Sequence, residues 1–169
     1  MLKKAAILVA SVLVVSALWF AGMEILYSRL LAFSSNVVLH FGGRESRVAV
    51  EKHDDEHVFF VDTIIEGRQA RFPQRIQTLL YPTIMVIAWQ VFVAFARGWK
   101  QSLRSGRWNL GLFFVFQVLF LLLLTAYHSS AIASFIYDML MESFYVIAVV
   151  IIIIDNIRHP LLFLRSKAS

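Results

Sequence analysis

Cysteine is absent from the chain. That excludes disulfides, thiolate nucleophiles, Cys-ligated zinc and iron–sulfur clusters together. Any catalysis must then rest on His, Asp, Glu, Ser, Thr, Tyr or Lys. Charge is scarce too, at 16% of 169 residues against 59% hydrophobic ones, with a mean hydropathy of +0.71. So much apolar surface does not fit inside one small water-soluble core, and a bilayer is the solvent that accommodates it. No Walker loop, dinucleotide fingerprint, G-x-S-x-G or zincin motif occurs. Prolines number three and glycines seven, so the apolar stretches run long and mostly uninterrupted.

Those stretches make four candidate transmembrane helices. The first, "AAILVASVLVVSALWFAGM" (5–23), follows Lys3 and Lys4 and has the length a helix needs to cross about 30 Å of hydrocarbon. The second, "LLYPTIMVIAWQVFVAFA" (79–96), ends at Arg97 and carries Pro82 near its start, where a first-turn proline is tolerated. The third is "NLGLFFVFQVLFLLLLTAY" (109–127). The fourth has a fully apolar centre at 144–154, too short to span, and is expected to begin near Ile136 and run to about Asp155.

Basic residues set the direction. Lys3, Lys4, Arg97, Lys100, Arg104, Arg107, Arg158, Arg165 and Lys167 fall on one side of a four-span layout, with Asp155 the one acid at that boundary. The positive-inside rule makes that side cytoplasmic. Segment 28–76 on the other side has seven basic residues against seven acids, as suits a translocated part. The net charge of +5 is explained by this distribution and not by a nucleic-acid partner. A competing reading of the first span is a cleaved signal peptide, with Val15-Ser16-Ala17 as the cleavage site. The apolar run continues past that site through Phe20.

The expected fold is an all-α polytopic membrane protein with both termini cytoplasmic. Its helices cover 1–27, 77–97, 109–128 and 136–157, joined by a basic cytoplasmic loop at 98–108 and a short outer loop at 129–135, with a cytoplasmic tail at 158–169. Residues 28–76 are expected outside as an interfacial helix followed by short strands at about 46–53, 57–65 and 68–72. In the stretch 97–110, Trp99 and Trp108 suit the membrane interface and the four cations Arg97, Lys100, Arg104 and Arg107 suit anionic headgroups.

Two sets of polar residues are candidates for function. "KHDDEHVFF" (52–60) places His53, Asp54, Asp55, Glu56 and His57 around a predicted turn, with the two histidines facing each other across the strands. Imidazoles and carboxylates together suit zinc, copper or nickel. Turns also attract Asp for reasons of their own, and a charged hairpin tip stays wet. The second set lies within or beside the spans, where polar groups are costly. Ser130, Ser134, Asp138 and Glu142 share one helical stripe, and two carboxylates one turn apart in a poorly solvated place disfavour double ionisation. His128 is near them in sequence. They suit proton or cation handling, docking of a partner's basic residue, or plain contact with headgroups and water, and Glu24 at the outer end of the first span has the same choices. Gln90 and Gln117 are expected at similar depth on neighbouring helices, in position to hydrogen-bond each other. Gly22 and Gly111 are the glycines in or beside the spans, so no small-xxx-small seam is expected.

An anchor helix, an outward β-rich segment, a second span reading "LLYPTIMVIAW", a basic inner loop and two further spans resemble the layout of the exosortase-associated integral membrane proteins of Gram-negative bacteria. The resemblance covers most of the chain as an arrangement. It implies an accessory role beside a membrane transpeptidase that sorts or anchors exported proteins. The chain lacks the cysteine that such an enzyme needs, so it is not that enzyme itself. The sequence thus points to a non-enzymatic subunit without a cofactor, whose partners are the lipid bilayer and another integral membrane protein. The alternative is a small metal-dependent or proton-coupled membrane enzyme or carrier using His53, His57, His128, Asp138 and Glu142.

Overall fold

A computed structural model describes residues 2–53, 56–65, 67–75 and 77–158, with the side chains of Thr78 and Glu142 outside that description. The protein is mostly helical with one small antiparallel sheet. Helix α1 spans Leu2–Leu18 and a single π turn, Trp19–Met23, links it to α2, Glu24–Phe41. The link bends because Gly22 takes φ +124°, a conformation that side chains disfavour. Three strands follow: β1 (Arg47–His53), β2 (Glu56–Ile65) and β3 (Arg68–Arg75). Helices α3 (Gln77–Arg97), α4 (Trp99–Thr125) and α5 (Ala131–Arg158) complete the chain. Three stretches are long and apolar enough to cross a membrane: Leu2–Phe41, Leu79–Arg97 and Trp99–Thr125. The two halves of α5, 131–141 and 143–158, meet at 58° and count as a fourth only when the bent pair is taken as one span.

The helices pack as a bundle. α1 lies against α3, α3 against α4 and α5, and α4 against α2 and α5. Aromatic rings fill the centre: Phe120 stacks on Tyr137 at 4.3 Å and meets Phe144 edge-on at 4.9 Å. The sheet has the order β1-β2-β3, all antiparallel. Strand alternation puts Val48, Val50, Phe59, Val61 and Phe72 on one face, which packs into the same core as α2 and α4. Two polar ties fix the sheet in place. The Asn36 side chain of α2 donates to Val48 O and accepts from Val48 N, both at 2.8 Å, as a neighbouring strand would. Thr63 Oγ1 donates to Thr125 O at the end of α4, at 3.0 Å.

Three expectations change. The basic segment 98–108 is not a loop: Gly98, at φ +100°, is the whole connection, and α4 begins at Trp99. Arg, Lys, Gln and Leu are good helix formers, so the segment's polarity does not end the helix. Pro82 lies in the second turn of α3, because that helix starts at Gln77. α5 starts at Ala131, five residues before Ile136, with the Ser130 hydroxyl accepting from Ala133 N at 3.3 Å as its N-cap.

Candidate functional site

The clustered histidines do not converge. Cross-strand pairs are His53 with Glu56 and Lys52 with His57, so the two imidazoles lie on opposite faces of the hairpin. The expected facing pair fails because His53 pairs with Glu56 and not with His57, and a register shift of one residue turns a side chain to the other face. His53 instead sits edge-on to Phe60, with centroids 5.8 Å apart. Asp54 and Asp55 lie outside the described residues. Among the described residues, no group of three or more His, Asp or Glu side chains is arranged to hold a metal ion.

Gln90 and Gln117 have separate partners. The expected equal depth requires a loop at 98–108, whereas the one-residue turn at Gly98 sets Gln90 beside Ser102, Ser105 and Gly106. Ser102 Oγ donates to Gln90 O at 2.7 Å and Ser105 Oγ to Gln90 Oε1 at 3.1 Å. A Cβ on Gly106 would stand 3.3 Å from that same Oε1. Ser102 and Gly106 therefore form a small-xxx-small seam in the segment expected to be a loop. Gln117 lies higher in the bundle, fully buried, and ties three helices together. It accepts from the Tyr27 hydroxyl of α2 at 2.6 Å and donates to Leu79 O at 2.7 Å and Thr83 Oγ1 at 2.9 Å, both on α3.

The remaining candidates are scattered. Asp138 is exposed on the first half of α5, before the bend, and its neighbour Tyr137 is level with the far end of α4 through Phe120 and Tyr127. The side chain of Glu142 lies outside the description. Ser134 of the same stripe donates to Ala131 O in its own helix. His128 packs edge-on against Phe72 of β3 at 4.9 Å and Tyr127 at 5.0 Å. Glu24 opens α2, half-buried and within electrostatic reach of His57 and Tyr81. Buried Asp155, expected only as a boundary acid, accepts from Trp89 Nε1 at 2.7 Å.

A further feature of the described residues is apolar. α2 leans on α4 through Tyr27 and Phe114, rings 6.0 Å apart, while α5 packs on another side of α4. Between them runs a groove of about 760 Å³. Leu119 and Leu123 of α4 line it, with Val38 and Leu39 of α2 on one wall and Ile132 and Ile136 of α5 on the other. Arg44, Ser129 and Ser130 stand at its polar end. Beside it, the outer face of the sheet holds Arg71 over the Phe60 ring at 4.4 Å, flanked by Glu51 and Asp62. Tyr27, Asn36 and the groove escaped the sequence reading because their roles depend on which helices touch. A buried small-residue pattern at Ser28, Ala32 and Ser35 on α2 was the available signal. Comparison of the chain with protein-family models, curated proteins and solved structures finds no match.

Proposed function

We propose that the protein is a non-enzymatic accessory or assembly subunit of a bacterial inner-membrane complex. In this reading both termini are cytoplasmic, the sheet faces outward, and an apolar helix of another integral membrane protein seats in the α2–α4–α5 groove. The groove is the observation that carries the proposal. Its floor is a leucine-rich face of α4 left uncovered by neighbouring helices, and it opens beside a sheet tied down by Asn36 and Thr63. A rigid platform next to an uncovered apolar face suits positioning a partner. The basic ends of the spans support the orientation. The layout resemblance supports a partner engaged in sorting or anchoring exported envelope proteins.

The test is photo-crosslinking in intact membranes from Leu119 and Ile136, with Phe95 on α3 as an exposed site away from the groove. The expected outcome is one dominant protein adduct from both groove positions and none from Phe95, its mass assigning the partner. Lipid adducts alone, or the same adducts at all three positions, would refute the reading.

A further inference from the structure

We propose that a notch between the first three turns of α4 and the end of α5 binds a phosphate group, carried by an anionic lipid headgroup or by a soluble phosphate compound. The notch is a cavity of about 540 Å³ lined by Lys100, Arg104, Trp108, Asn109, Asp155 and Arg158, among others. It lies at the opposite end of the bundle from the sheet and does not depend on the partner groove.

Charge is the first argument. Lys100, Arg104 and Arg158 make no ion pair among the described residues. Asp155 is the one acid of the lining, and its Oδ2 is engaged by Trp89. Three cations against one carboxylate leave a formal charge of +2 around the cavity. Hydrogen bonding is the second. The Asn109 amide nitrogen is buried without a partner among the described residues. Rotation of the half-buried Asn109 side chain would turn that donor into the notch, where phosphate oxygens are acceptors that the cations also favour.

Position is the third argument. Because Gly98 alone joins α3 to α4, residues 99–108 lie beside residues 88–97, as the Ser102 and Gly106 contacts with Gln90 record. In α3 that stretch reads "AWQVFVAFAR", and in α4 it reads "WKQSLRSGRW". Cations therefore stand alongside an apolar helix segment, where acyl chains and a phosphate would be met together. Trp108, 75% exposed at the notch, adds the amphipathic ring typical of the interface.

The test uses the full chain in nanodiscs of phosphatidylcholine with a minor share of phosphatidylglycerol, and native mass spectrometry counts retained lipid. Phosphatidylglycerol should be retained in preference to phosphatidylcholine. Each lost cation should weaken retention roughly fivefold, so Arg104→Gln with Arg158→Gln should weaken it about 25-fold. Arg107→Gln, an equal charge change outside the notch, should leave it unchanged. Should the double variant fail to fold, Arg158→Gln alone, at the exposed last residue of α5, gives the fivefold readout. Retention that resists millimolar inorganic phosphate assigns the notch to lipid, and displacement by it assigns the notch to a soluble phosphate compound. Equal retention of the two lipids without any displacement by phosphate, or an equal loss in Arg107→Gln, would overturn the proposal.

Discussion

Replacing Gln117 by leucine, similar in size and apolar, should destabilise the protein although the site lies among apolar helices. The change removes three hydrogen bonds, from Tyr27 and to Leu79 and Thr83. Side-chain hydrogen bonds between membrane helices average about 0.6 kcal/mol, so the three sum to about 2 kcal/mol. The Tyr27 hydroxyl would also lose its acceptor, at a cost of about 1 kcal/mol or more. Thr83 offsets part of this, since a helical threonine hydroxyl can turn to the carbonyl one turn back. The expected net loss is about 2 kcal/mol, or roughly 4–8 °C in Tm for a chain of this length. Tyr27→Phe should cost about 1 kcal/mol, and the double variant should lose less than the sum, because removing the hydroxyl removes the orphan. Thermal unfolding of the purified protein in a mild detergent measures all three variants. A Gln117→Leu protein as stable as the parent, or strictly additive losses, would show that the residue does not couple α2 to α3 and α4.

Two other expectations follow from single contacts. Asn36→Ala removes both bonds to Val48, and should cost about 1–2 kcal/mol and speed hydrogen exchange across β1 while leaving exchange in α3 and α4 unchanged. Trp89→Phe keeps the ring's bulk but leaves the buried Asp155 carboxylate without its indole donor. That should cost about 1.5–3 kcal/mol in thermal unfolding, and pairing it with Asp155→Leu should recover part of the loss.

Periodicity was legible where it was strong. Val48 and Val50, then the β-branched and aromatic run from His57 to Ile65, announced strands whose ends agree with the structure to within three residues. The apolar stretches announced helices for the same reason. What escaped was tertiary. Arg104 and Arg107 look the same in a loop and on the polar side of a helix, so the pattern points to a start at Asn109, ten residues after the Trp99 start of α4. That single misplaced boundary then put Gln90 opposite Gln117 instead of Ser105, and hid the seam at Gly106. The histidines of 53 and 57 were near in sequence, but a shift of register by one decides which face each takes. The bend in α5 has no proline or glycine to announce it.

The sheet's two borders bear on how anything could add to it. At β1, the backbone groups of Val48 are already taken by the Asn36 amide. At β3, Pro73 lacks a donor, while Arg68, Arg71 and Arg75 space the strand with like charges. Lateral extension by an incoming chain is thus discouraged on both sides, which guards against runaway self-association. Whatever recognises this part of the protein would have to read the Arg71–Phe60 surface broadside, side chain against side chain.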